Sequence, residues 1–233
     1  MANHKNIVRL QVIAKALEEV VEKVIFVGGA VVELYCDDPA KEESRPTDDI
    51  DVVVELISYS KFAYLEDKLR AAGFANETNS GVICRYVYHD IIVDIMPTSG
   101  EVLGFTNKWY EVGAKNTTPL TLSNGQNITL FQLLYFIGSK FEALKSKRHG
   151  SDYRLNSDFE DIIYLFNNRT TIENDITSAE SNIKDYIIEQ IILLCKRPFI
   201  TDEISANLDF SNRENRKNRI LNIWERLSEI KGQ

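Results

Sequence analysis

The stretch that decides the fold runs from Thr47 to Val54 and reads TDDIDVVV. Its branched apolar residues predict a buried strand. Because side chains alternate along a strand, Asp49 and Asp51 must project from one face and the apolar residues from the other. Two carboxylates about 7 Å apart repel each other unless a cation lies between them, and oxygen ligands of this kind suit magnesium. The stretch predicts either a metal site or an acidic entry to a strand.

Asp94 adds a third carboxylate to this prediction. It lies inside the apolar run of residues 91–96, where a charged group is costly unless it is paired, hydrogen-bonded or bound to a metal. One alternative is a buried ion pair with Arg85 on the neighbouring strand, and another is an Asp that points from an edge. A carboxylate from a second strand is also what a two-metal site needs.

The secondary-structure elements around these strands are predicted from the spacing of apolar residues and from the glycines and prolines that end each element. A short buried strand at residues 24–27 stops at Gly28-Gly29, and a helix follows at about residues 30–35. The remaining elements predicted before residue 126 are a helix at 62–72 and strands at 82–88, 91–96, 109–113 and 118–122. A tight turn at His89-Asp90 is predicted to join the strands at 82–88 and 91–96.

From Thr129 onward the period becomes helical and stays so to about residue 230. This order of elements predicts an α+β protein. Residues 1–126 would form a domain with a mixed β-sheet flanked by helices, and residues 127–233 a helical domain.

Gly28-Gly29 supplies a further feature of chemical interest. Glycines between a buried strand and a helix let backbone N–H groups approach a phosphate. The sequence contains neither GxxxxGK[ST] nor GxGxxG, so a P-loop or a dinucleotide-binding fold is not indicated.

Together these features resemble the DNA polymerase β-like nucleotidyltransferase superfamily, and most closely the AbiEii-type nucleotidyltransferase family. The resemblance covers roughly residues 20–168. The motifs that carry it lie at residues 26–30, 45–52, 93–96, 139–143 and 158–162, together with Arg148. The interval from Gly29 to Asp49 is longer than is usual in the superfamily, which makes residues 37–46 an expected insertion.

The family includes toxins of toxin and antitoxin or phage-defence pairs, among them MenT-type enzymes that add nucleotides to the acceptor end of tRNA. The resemblance implies transfer of NMP from an NTP to an acceptor hydroxyl, with release of pyrophosphate. Asp49, Asp51 and Asp94 would hold two magnesium ions, and Asp94 could act as the base. The residues implied to contact the nucleotide are Gly28, Gly29, Arg45, Thr47, Lys140 and Arg148.

Lys140 is also notable for its spacing. Apolar residues at i−7, i−4, i−3 and i+4 place it on the apolar face of a predicted helix. Its ammonium group must therefore either extend to solvent or pair with an anion, which would be a nucleotide phosphate or a carboxylate such as Asp161. Asp158, in the SDFE sequence at residues 157–160, is first of all expected in the first turn of a helix.

The composition limits which acceptor molecules and binding partners are expected. The formal net charge of −8 repels nucleic acid on average, so a cationic aminoglycoside or a protein hydroxyl is an alternative acceptor to tRNA. The three scattered cysteines favour neither a disulfide framework nor a thiolate metal site, and they suit a cytoplasmic protein. No apolar stretch is long enough to cross a membrane. A rival hypothesis is a catalytically silent module that binds nucleotide or an antitoxin protein.

Overall fold

The computed structural model describes residues 3–41, 43–55, 58–104, 106–146 and 150–230. The chain divides by its contacts into two compact units, residues 1–31 with 44–135 and residues 32–43 with 136–233. A mixed sheet and its helices form the first unit, and helices dominate the second. The predicted α+β class is confirmed, while the division into domains at residue 126 stays a prediction.

Within the described residues, seven strands form one sheet in the first unit. They are β1 (Val24–Val27), β2 (Asp49–Val54), β3 (Ala75–Asn76), β4 (Arg85–Tyr88), β5 (Ile91–Pro97), β6 (Thr117–Thr121) and β7 (Asn127–Phe131). Their order is β3-β4-β5-β2-β1-β7-β6. The pairs β2–β5 and β1–β7 are parallel, and the other neighbouring pairs are antiparallel.

Helices of the same unit are α1 (Asn3–Leu17), α2 (Tyr59–Ala71), α3 (Gly100–Leu103) and α4 (Tyr110–Lys115). Strand β2 is central, between β5 and β1, which explains why it is rich in branched apolar residues. Ile50, Val52 and Val54 have no exposed side-chain surface, whereas Asp49 and Asp51 on the other face are half-buried. The alternation that the sequence predicted for β2 is therefore present.

Two of the predicted local structures are confirmed. The helix expected at residues 62–72 is α2. The tight turn between β4 and β5 lies at His89-Asp90, where both residues have a positive φ, of 45° and 63°. Strand β4 is shorter than expected because only Arg85–Tyr88 pairs with β5. The expected helix at residues 30–35 is a 3₁₀ helix, Gly29–Tyr35.

The strand predicted at residues 109–113 is wrong, because these residues enter helix α4. The side chain of Asn107 accepts a hydrogen bond from the Trp109 backbone N–H at 3.0 Å, and its carbonyl accepts one from the Tyr110 N–H at 3.0 Å. This local turn starts the helix.

The helical start predicted at Thr129 is also wrong, because residues 127–131 form β7. A turn at Gly125, where φ is 83°, reverses the chain after β6 so that β7 pairs with both β6 and β1. Helix α5 (Leu133–Leu144) begins only after this strand.

The helices that follow α5 belong to the second unit. They are α6 (Ser157–Asn168), α7 (Ile172–Thr177), α8 (Ser181–Cys195), α9 (Ile200–Ala206) and α10 (Arg213–Ile230). Phe166 of α6 and Trp224 of α10 pack edge to face with ring centroids 5.7 Å apart in its core. Within the ranges that the structure describes, no helix has the length and apolar character needed to cross a membrane.

Candidate metal and active site

The three carboxylates that the sequence singled out lie together on two neighbouring parallel strands. Asp51 of β2 is in register with Asp94 of β5, and Asp49 lies one pleat away on the same face of β2. One carboxylate oxygen from each of the three residues lies within 4.8 Å of the others. No other such cluster of three ligand side chains occurs in the described part of the chain.

Asp49 lies where a charged carboxylate is unfavourable. Burial raises the pKa of Asp49, the nearby Asp94 carboxylate raises it further, and the Arg85 guanidinium partly offsets both effects. A carboxylate that is costly to ionise in this position becomes favourable when a cation is supplied. The electrostatics therefore suit a site for a positively charged ligand.

Arg85 of β4 is the cation that the structure itself supplies. Its Nε donates to Asp94 Oδ1 at 2.7 Å, and its Nη2 donates to Asp94 Oδ2 at 2.8 Å and to Asp49 Oδ2 at 3.0 Å. These interactions, above all the hydrogen bond with Asp94, raise the pKa of Arg85. The ion pair between Asp94 and Arg85 that the sequence left open as an alternative is thus present, and it lies inside the cluster.

Gly28 explains how Asp51 fits beside β1. It follows the strand with φ of 73°, and a β-carbon placed on it would lie 1.9 Å from Asp51 Oδ2. Only glycine leaves room for the carboxylate there. The three carboxylates supply only oxygen ligands, which hard divalent cations prefer, so the residues present fit magnesium.

The segment leading into Asp49 is held by helix α1. Asn6, which is buried, donates to the Arg45 carbonyl at 3.0 Å and accepts from the Thr47 N–H at 3.1 Å. Arg9 donates to the carbonyls of Thr47 and Asp48. These contacts anchor the backbone on the N-terminal side of the site, a role that the sequence reasoning missed because nothing local links residues 40 positions apart.

Two sequence-predicted nucleotide contacts lie in this anchored segment. The Thr47 hydroxyl is buried and donates to the Asp49 carbonyl at 2.9 Å, so in this structure it stabilises the strand entry. Arg45 is half-buried, and its carbonyl takes part in the contact with Asn6.

Lys140 lies in the second unit and is almost fully buried. Its Nζ lies 2.6 Å from Asp161 Oδ2 and 3.0 Å from Asp158 Oδ1. Of the alternatives that the sequence left open, a carboxylate partner at Asp161 is the one observed. Asp158 is in the first turn of α6, as expected, although the helix is capped by Asn156 rather than Ser157. Arg148 lies outside the described residues.

The segment expected to be an insertion is tied to the second unit up to Lys41. Asp37 accepts a hydrogen bond from the Thr170 N–H at 2.7 Å and faces Arg169 at 3.7 Å. The Asp38 N–H donates to the Asn168 carbonyl at 3.1 Å. A backbone hydrogen bond to the end of α6 and a charge pair with the residue after it therefore organise this loop.

The three cysteines are not among the side chains that form the acidic cluster. Cys36, Cys84 and Cys195 are all free thiols. Burial raises the pKa of Cys36 to about 12 and that of Cys84 to about 11.

Comparison with known proteins gives the fold a name. No protein-family model matches the chain, and neither does any curated protein sequence. Among solved structures, it is similar to an antigenic nucleotidyltransferase-like protein from Paracoccidioides brasiliensis, with a TM-score of 0.53 and 19% identity over 91% of this chain and 97% of that one. The chain has a nucleotidyltransferase-like fold. In this nucleotidyltransferase-like fold, the acidic cluster lies on the central strands of the sheet, where β2 and β5 run parallel.

Proposed function

We propose that the protein is a magnesium-dependent nucleotidyltransferase that transfers NMP from an NTP to an acceptor hydroxyl and releases pyrophosphate. The observation that carries the proposal is the cluster of Asp49, Asp51 and Asp94, whose oxygens lie within 4.8 Å of one another. The nucleotidyltransferase-like fold and the resemblance of the sequence motifs support it.

Asp49, Asp51 and Asp94 would hold two magnesium ions. When bound, these ions supply charge stabilisation for the entering and leaving oxygens of an in-line displacement at the α-phosphate. Asp94 would accept the proton of the acceptor hydroxyl, because it is the carboxylate that the neighbouring strand holds in a fixed orientation. The backbone N–H groups at Gly28 and Gly29 would bind triphosphate oxygens.

The other residues expected to contact the nucleotide have different roles in this proposal. Lys140 already pairs with two carboxylates, so a phosphate would have to compete with Asp158 and Asp161 for it. Arg45 and Arg148 would contribute positive charge toward the triphosphate, and Thr47 would act by holding the backbone at Asp49.

The acceptor is proposed from the resemblance to the AbiEii-type and MenT-type enzymes. A tRNA end is our first choice, which would make the protein a toxin-like enzyme of the cytoplasm with an antitoxin protein as partner. A protein hydroxyl is the second choice and an aminoglycoside the third, and the net charge of −8 favours these two over RNA.

One observation favours a second candidate function. Arg85 pairs with two members of the acidic cluster, as it would in an ion pair with a purely structural role. A catalytically silent module that binds nucleotide or a partner protein would retain the fold and this ion pair but have no turnover.

Transfer of label from NTP tests the proposal directly. The protein would be incubated with magnesium and each α-labelled NTP in turn, with total RNA, purified tRNA, an aminoglycoside panel, or alone, and the products separated. Asp49→Ala removes a member of the cluster. Asp48→Ala is the matched control, because Asp48 is the exposed neighbouring carboxylate and is not part of the cluster.

We expect label on an acceptor with the native protein and with Asp48→Ala, but not with Asp49→Ala or after chelation of magnesium. Label on tRNA, on the protein or on an aminoglycoside identifies the acceptor class. Magnesium-dependent NTP binding without transfer to any acceptor would instead support the silent module. Full activity of Asp49→Ala would overturn the assignment of the site.

A further inference from the structure

Strand register brings Arg85 to the acidic cluster. Arg85 of β4 is directly opposite Asp94 of β5, and Asp94 is directly opposite Asp51 of β2. Residues opposite one another in a sheet project from the same face. The guanidinium therefore reaches the carboxylates from a strand that supplies none of them.

The contact with Asp94 has a planar, two-point geometry. Nε and Nη2 each donate to a different oxygen of the same carboxylate, at 2.7 and 2.8 Å. A fork of this kind fixes the plane of the carboxylate as well as its distance. Each Asp94 oxygen keeps a further lone pair, so the pairing orients Asp94 and still leaves it able to bind a cation.

Nη2 also joins Asp94 to Asp49. It donates to Asp49 Oδ2 at 3.0 Å while it holds Asp94, so one guanidinium bridges two carboxylates that repel each other. The Arg85 side chain is only 21% exposed, and water therefore screens this interaction incompletely. This guanidinium pairs with two of the three carboxylates of the cluster.

We propose that Arg85 is a positioning residue of the metal site, which holds the Asp94 carboxylate in its working orientation and competes with the cation for Asp49. The proposal rests on the proposed function, since it assumes that the cluster binds metal. Arg85 acts through the carboxylates and has no contact with substrate in this scheme.

Two variants separate the two roles. Arg85→Gln removes both the positive charge and the two-point contact. The cluster becomes more negative, and the metal cation no longer has a competitor for Asp49. Arg85→Lys keeps the charge but cannot make the planar two-point contact. Arg70→Gln is the matched control: it removes a positive charge from the same unit, where Arg70 pairs with Asp67 at 3.1 Å on the exposed face of α2.

The first measurement uses Mn²⁺ as the probe and needs no turnover. Binding of Mn²⁺ alone to each folded, full-length variant is measured by electron paramagnetic resonance, and the dependence of nucleotidyl transfer on NTP is measured separately. We expect Arg85→Gln to bind Mn²⁺ about tenfold more tightly than the native protein, because a nearby positive charge is gone. Arg85→Lys should bind within about threefold of the native protein.

The kinetic expectation has a different pattern. Both Arg85 variants should lose about 100-fold in kcat with little change in KM for the NTP, because Asp94 is no longer held in place. Arg70→Gln should match the native protein in both measurements.

The outcomes distinguish the inference from the function on which it rests. Mn²⁺ affinity of Arg85→Gln that is unchanged or weaker than that of the native protein overturns the inference, as does native kcat in Arg85→Lys. If the native protein itself binds no Mn²⁺, the metal site fails, and the proposed function and this inference are overturned together.

Discussion

Gly28 and Asp51 are packed so closely that a single added carbon atom cannot fit between them. A β-carbon on Gly28 would lie 1.9 Å from Asp51 Oδ2 and 2.8 Å from Asp51 Cβ. Rotation of the carboxylate alone does not relieve the second contact, so the position of Asp51 on its strand depends on the absence of a side chain at residue 28, directly after β1. The glycine that resembles a phosphate-binding feature in the sequence is thus also a steric requirement of the acidic cluster.

Gly28→Ala should therefore cost stability and disturb Asp51. The control is Gly81→Ala, because Gly81 has φ of 70°, close to the 73° of Gly28, and nothing within 4 Å of its missing β-carbon. Both variants carry the strain of a positive φ, but only Gly28→Ala adds the clash. We expect Gly28→Ala to lower the free energy of unfolding by about 2 kcal/mol more than Gly81→Ala does, as measured by urea titration. Equal losses would show that Asp51 moves away without cost.

Asp49→Asn should raise the stability of the metal-free protein and abolish its response to magnesium. Because the pKa of Asp49 is raised, its contribution to stability is greatest below the ordinary value near pH 4 and is lost as the pH rises through the raised pKa. At pH 7 the charge is therefore unfavourable, and the neutral amide relieves it.

The measurement is thermal unfolding at pH 7 with and without magnesium. The native protein should gain about 5 °C at saturating magnesium, and Asp49→Asn should gain nothing. Asp48→Asn serves as the control and should keep the gain. A lower melting temperature of metal-free Asp49→Asn would contradict the electrostatic argument.

Asn6→Ala should weaken the anchoring of the segment before Asp49. The substitution removes a part-buried hydrogen bond to the Arg45 carbonyl and the buried ones from the Thr47 N–H and hydroxyl, and it leaves the Thr47 N–H unsatisfied. We expect a loss of about 2 kcal/mol in the free energy of unfolding. Gln11→Ala on the same helix is the control, since its side chain makes only a long, exposed contact of 3.4 Å with Ser123. Equal stability of the two variants would show that α1 does not support the site.

Lys140→Met should destabilise the second unit strongly. It leaves Asp158 and Asp161 without the ammonium that lies 3.0 and 2.6 Å from them, and Asp161 is almost fully buried. Breaking a buried ion pair from one side costs about 3 to 5 kcal/mol. Lys145→Met, which removes an exposed pair with Glu142, should cost less than about 1 kcal/mol. Similar urea midpoints for the two variants would show that Lys140 is not needed for folding.

Much of the site could be predicted because strand alternation is a local property. The TDDIDVVV stretch placed Asp49 and Asp51 on one face, and the structure has them there. The apolar run around Asp94 indicated that this carboxylate needs a partner, and it has one. Neither observation required knowledge of the neighbouring strands.

Other elements could not be predicted, because their conformation depends on contacts remote in sequence. Residues 127–131 have an apolar pattern that suits a helix as well as a strand, and the choice is made by pairing with β1, more than 100 positions earlier. Residues 109–113 have a strand-like composition, but the side chain of Asn107 starts a helix there. Local preference is weak compared with such contacts.

By itself, the sequence determined the alternation of side chains along β2, the class of the fold and the identity of the three carboxylates. Only the tertiary structure decided the register of β2 against β5, which brings Asp51 opposite Asp94, and that of β4, which brings Arg85 to both Asp94 and Asp49. The physical reason is that alternation follows from the geometry of one chain segment, whereas register is selected by the packing of the whole sheet.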